Sequence, residues 1–126
     1  MKILSKLFLG LFIMSILSCE SLPQLEGIDL DAWKQDQDGC NENRIKQIDL
    51  LLSQKDKLKG LSQNEMIELL GVADKHQLYE RSQKFFIYYL EPNENCSNYS
   101  EGYLKALYIR FNSLDQAVDF NIQKVK

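Results

Sequence analysis

Apolar residues recur every three to four positions through the middle of the chain and every second position through its last third. Ile45, Ile48, Leu51, Leu52 and Leu58 gather on one side of a helix that Asn41 or Asn43 caps and that runs to about residue 58. Lysines and acids take the other side. Gly60 ends this helix, after Lys55, Lys57 and Lys59, whose charges suit a helix C-terminus. A second helix begins at once. Ser62-Gln63-Asn64-Glu65 has the capping-box form, in which Ser62 accepts from the third amide and Glu65 reaches back. Leu61 and Met66 flank that cap as a hydrophobic staple, Met66, Ile67, Leu69 and Leu70 supply a dense stripe, and Gly71 closes the helix.

From Tyr79 onward the period is two. Lys84-Phe85-Phe86-Ile87-Tyr88-Tyr89-Leu90 is rich in strand formers and aromatic on both sides, and Glu91-Pro92-Asn93 stops it. A polar loop leads to a second strand over residues 104–111. Asn112-Ser113-Leu114-Asp115-Gln116 turns the chain, and Val118, Phe120 and Ile122 alternate with Asp119 and Asn121 in a third strand. Residues 76–80 add a short edge strand in the four-stranded version. Helices grouped before strands predict an α+β domain, with two helices on one face of a three- to four-stranded antiparallel sheet. Leu107, Ile109 and Phe111 pair with Val118, Phe120 and Ile122 as the covered face, and the aliphatic parity adds Phe85, Ile87 and Tyr89. The opposite face then presents Phe86, Tyr88, Tyr108 and Arg110, residue types enriched at binding hot spots. Ordinary cross-strand packing of aromatics is the alternative use of the same positions.

The N-terminus follows neither period. Lys2 and Lys6 precede an apolar run over residues 7–17, and the first eighteen residues contain no acid. Eleven residues of helix span about 16 Å, against a hydrocarbon core of about 30 Å, which suits an export signal and not a spanning helix. The run ends in Ile16-Leu17-Ser18-Cys19, which resembles the bacterial lipobox. That resemblance implies cleavage before Cys19 and a diacylglycerol on its thiol; a plain secretory signal is the alternative. The organisation expected is a signal peptide over residues 1–18, a tether and N-terminal segment over 19–38, and an α+β domain over 39–126. Glu20 to about Asp31, with Pro23 and Gly27, reads as the tether.

Composition narrows the classes. The chain has 126 residues, 44% hydrophobic and 26% charged, which suits one globular domain and excludes collagen-like and low-complexity chains. Its net charge is −3, and removal of Lys2 and Lys6 makes it more acidic, so no basic stripe for nucleic acid is expected. Lipidation of Cys19 leaves Cys40 and Cys96, an even pair in an exported chain, so a disulfide is expected; two free thiols are the alternative. Zinc would need about four ligands, and the single histidine, His76, has no cysteine near it in sequence. His76 reads as a solvated loop residue and not as a catalytic base. Asp36-Gln37-Asp38-Gly39 is faintly similar to a calcium loop but lacks the later ligands. Trp33 reads as a cover for the core. No enzyme activity, metal or cofactor is expected.

Gly60-Leu61-Ser62-Gln63-Asn64-Glu65-Met66-Ile67-Glu68-Leu69-Leu70-Gly71 resembles the helix-turn signature of small outer-membrane lipoproteins of the SmpA/OmlA (BamE) type. Leu107-Tyr108-Ile109-Arg110-Phe111-Asn112 is similar to that family's strand-then-turn segment. The resemblance covers roughly residues 60–122. It implies a lipid-anchored interaction or scaffold module with an envelope protein partner. It also implies a place at the outer membrane facing the periplasm, in outer-membrane assembly or maintenance. The alternative function is an inhibitor-type or ligand-binding domain acting on a secreted or periplasmic protein.

Overall fold

The computed structural model describes residues 21–126, so the expected export signal and the lipidation expected at Cys19 lie outside the described residues. These residues form α1 (Leu30–Gln35), α2 (Asn43–Ser53) and α3 (Gln63–Leu70), followed by β1 (Lys75–Tyr79), β2 (Gln83–Tyr89), β3 (Leu104–Phe111) and β4 (Ala117–Val125). The strands make one antiparallel meander in the order β1-β2-β3-β4. The fold is α+β, as the change of period predicts, and the edge strand β1 is present.

The helix starts follow local chemistry in part. Ser62 accepts from the Glu65 amide and Glu65 from the Ser62 amide, both at 3.1 Å, so the capping box at α3 forms as read. Asn41 and Asn43 do not cap α2. That role falls to the buried carboxylate of Asp36, which accepts from the Asn41 amide at 2.6 Å and the Arg44 amide at 2.9 Å. The helix also stops at Ser53 and not near residue 58: a 3-10 turn over Lys55–Lys57 lets Leu58 swing into the core.

The expected tether is largely folded chain. Leu25 is buried, Leu22, Ile28 and Leu30 pack against the core, and α1 begins at Leu30 under an Asp29 cap. Composition misled here because Leu22 and Leu25, on either side of Pro23, follow no period, yet both pack into or against the core. The core joins Trp33, Ile48, Leu51, Met66, Leu69 and Leu70 to Phe86, Tyr88, Leu107, Ile109, Phe111 and Phe120. Trp33 is fully buried, as expected. A β-bulge between Arg110 and Phe111 pairs Arg110 with Asp119 but Phe111 with Ala117. Ala117 therefore takes the core place expected of Val118, which is half-buried. Phe120 and Ile122 keep the expected parity, opposite Ile109 and Leu107, but Ile122 is exposed.

Candidate functional site

The sheet has one face against the helices and one facing outward. Register decides which residues go where. Phe86 pairs with Ile109 and Tyr88 with Leu107, so these four share the core face; Phe85, Ile87 and Tyr89 share the other with Tyr108 and Arg110. The expected partner-binding set therefore splits. Tyr108 and Arg110 do lie on the outward face, but Phe86 and Tyr88 are fully buried. Size explains the reversal. The space beneath α1 takes the Tyr88 ring, 6.1 Å from the Trp33 ring, and the Tyr88 hydroxyl donates to the Gly71 carbonyl at 2.8 Å. Isoleucine could not span that gap. Ile87 is nevertheless buried on the outward face, on the same side as the taller Phe85, Tyr89 and Tyr108.

That outward face carries a row of rings across three strands. Tyr79 meets Phe85 edge-on at 5.4 Å, and Phe85 meets Tyr108 at 5.8 Å. Arg110 lies beside them, donating to Gln83 Oε1 and sitting 3.8 Å from Asp119. Gln77 and Gln123 complete a shallow groove of about 680 Å³. A second groove, about 420 Å³, opens where Tyr89, Tyr99 and Tyr108 meet Asn93, Glu94 and Lys75. Partial burial raises the Tyr89 and Tyr108 phenols above their ordinary value, and neighbouring Asp74, Asp38 and Glu94 add to the effect at Tyr89. Both hydroxyls stay protonated near neutrality, available as donors.

The wall of the second groove is tied down. Cys40 and Cys96 are disulfide-bonded with Cα atoms 5.4 Å apart, joining the start of α2 to the loop after β2 as the cysteine count predicts. Beside the bond, Asn93 Nδ2 donates to Asp38 Oδ1 at 2.8 Å. Gly39 carries a positive φ of 70°, and any Cβ there would sit 2.5 Å from the Glu91 carbonyl oxygen. The backbone of the turn and of the loop thus touch.

Sequence reasoning missed the centre of the molecule. Arg44 is fully buried: its Nη1 reaches Asp74 Oδ2 at 2.6 Å and the Tyr89 carbonyl at 3.2 Å, and its Nε donates to the Trp33 carbonyl at 3.0 Å. The guanidinium also lies over the Trp33 and Tyr88 rings, at 5.6 and 5.4 Å. Asp74 in turn accepts from the Tyr89 and Asp38 amides. The signal was positional, because residue 44 continues the buried stripe of Ile48 and Leu51 at helical spacing. Asp36 and Asp74 are thus structural acceptors. His76 is exposed, as expected, but it belongs to β1 and stacks on Phe86 at 4.5 Å. Among the described residues no group of three or more His, Cys, Asp or Glu side chains is placed to hold a metal ion. No protein-family model matches this chain, and neither does any curated protein or solved structure.

Proposed function

We propose that this protein is a lipid-anchored, non-catalytic interaction module of a bacterial envelope, which receives a protein partner on the outward face of its sheet. The observation that carries this reading is the uncovered row Tyr79–Phe85–Tyr108 with Arg110 beside it, on a face from which the described residues keep their helices away. Aromatic side chains on a rigid sheet are good anchors because few rotamers are lost when they are buried, and Arg110 adds a planar set of donors. The lipobox at Cys19 supports the anchor, and the disulfide fits an oxidising compartment. The non-catalytic reading is supported by the carboxylates themselves, since Asp36 and Asp74 are occupied by amides and by Arg44. The order of helices and strands keeps a role in outer-membrane assembly or maintenance, facing the periplasm, within this proposal.

Photocrosslinking in cells tests it. A crosslinker at position 77 or 123, on the outward face, should capture one envelope protein, and Arg110→Ala with Tyr108→Ala should abolish the capture. Equal capture from a crosslinker at exposed Asp49 on α2 would reject the face. A second reading, a small-ligand or inhibitor-type site, is favoured by the polar groove beside Asn93 and Tyr99. Capture of a secreted enzyme through position 99 in place of the sheet positions would support it.

A further inference from the structure

The anchor end of the molecule is set by short chain lengths. Leu22 already packs against the core, so three peptide steps separate it from Cys19, a reach of at most about 11 Å. From there the N-terminal segment runs antiparallel along α2. Lys57 Nζ donates to the Gln24 carbonyl at 3.1 Å, the Glu26 amide to Gln54 Oε1 at 2.7 Å, and the Asp29 amide to Gln47 Oε1 at 2.6 Å. The chain therefore emerges at the C-terminal end of α2, beside the turn that carries Lys55, Lys57 and Lys59. The hairpin between β3 and β4 sits at the same end. Gly60 and Leu61 exchange backbone hydrogen bonds with Ala117 at 2.8 and 2.9 Å, and the Gln63 amide donates to Asp115 Oδ1 at 3.1 Å. At the tip of that hairpin Leu114 is 76% exposed. The disulfide, by contrast, sits at the N-terminal end of α2, with the 420 Å³ groove close by.

We infer that this end, Lys55, Lys57, Lys59 and Leu114, rests against an anionic bilayer and holds the disulfide end and its groove in the aqueous compartment. The inference rests on the lipid anchor proposed at Cys19. A linker so short leaves no other end of the domain within reach of the headgroups. Within the turn over residues 55–59, three lysines stand against one acid, Asp56, which pairs with Lys59 at 3.1 Å. That local excess suits a negative surface, although Glu26 and Asp115 lie at the same end and the chain as a whole is acidic. An exposed leucine on a rigid tip suits the boundary between headgroups and acyl chains.

Fluorescence quenching tests the orientation. The full-length precursor is produced in a bacterial host, purified from membranes, weighed by mass spectrometry and reconstituted into phosphatidylethanolamine–phosphatidylglycerol vesicles with brominated acyl chains. Leu114→Trp should be quenched well beyond the wild-type background of buried Trp33, whereas Tyr103→Trp, at the far end of β3, should not. Reversing Lys55, Lys57 and Lys59 to glutamate in the Leu114→Trp background should remove most of the quenching. Raising the ionic strength with the lysines intact should weaken it as well, which keeps the test valid if the triple variant fails to fold. An acylated protein with equal quenching at both positions, or with quenching indifferent to salt, overturns the orientation alone. A mature chain with no acyl group on Cys19 overturns the anchor and this inference with it.

Discussion

Arg44 holds its position through charge, planarity and length together. Its guanidinium satisfies Asp74 and two carbonyls while lying over two rings, and no other side chain offers several coplanar donors. Arg44→Ala would strand the Asp74 carboxylate in the interior, and breaking such a pair costs about 3–5 kcal/mol. Urea unfolding should show that loss, and Arg44→Lys should recover only part of it. Tyr88 sets a second expectation at this scale. Burial is the main cause that raises its phenol above the ordinary value of 10.0, with Arg44 opposing and Asp74 reinforcing. The folded state therefore binds the proton more tightly than the unfolded chain. Its contribution is fully present below pH 10 and declines as pH rises through the alkaline range. Tyr88→Phe should remove the Tyr88 share of the alkaline dependence, leaving that of Tyr89 and Tyr108, while costing about 1–3 kcal/mol at neutral pH because the Gly71 carbonyl loses its donor. Unfolding curves collected on both proteins across the alkaline range decide it.

Two devices keep the elements in register. The capping box at α3 is local, and Ser62→Ala should lower stability by about 0.5–2 kcal/mol, read as a shift in the urea midpoint at constant slope. The Cys40–Cys96 bond works over distance. It closes a separation of 56 residues and pins a turn whose backbone touches the loop after β2. Cys96→Ser should cost about 2–5 kcal/mol and loosen residues 91–103 more than the sheet. Hydrogen exchange would report this as lost protection in that loop with β2 and β3 largely preserved. Free-thiol labelling of the denatured, unreduced protein should find neither Cys40 nor Cys96 reactive.

The whole molecule has two layers and two ends, and the roles proposed for it divide accordingly. The helical layer fills one face of the sheet, leaving the aromatic row outward, while the anchor proposed at Cys19 would turn the lysine-bearing end toward the membrane. Mass spectrometry of the mature N-terminal peptide should find an acylated Cys19; an unmodified terminus at another residue would remove the anchor. Tyr108→Ala and Arg110→Ala should leave the circular dichroism spectrum unchanged, since both side chains are half-exposed and outside the core. Exchanging them for core changes such as Phe86→Ala should instead cost about 3–5 kcal/mol, which distinguishes a surface from a support.

By itself, the sequence determined those features that depend on neighbours along the chain. The period of apolar residues set helices before strands, Ser62 and Glu65 set the start of α3, Asn112 set the β3–β4 turn, and two remaining cysteines implied their bond. What it could not determine was which face of β2 meets the helices, because Phe85-Phe86-Ile87-Tyr88-Tyr89 is apolar in both parities. A one-residue choice there inverts every side chain. Tertiary space made that choice, by offering a gap beneath Trp33 that a tyrosine fills and an isoleucine does not. The same holds for Arg44, whose buried role exists only once Asp74, 30 positions away, folds back beside it. It holds too for Leu22 and Leu25, which look like tether until the core gives them a surface. Helical spacing can mark Arg44 as inward-facing, but it does not name Asp74 as the partner; only the folded chain brings such distant segments together.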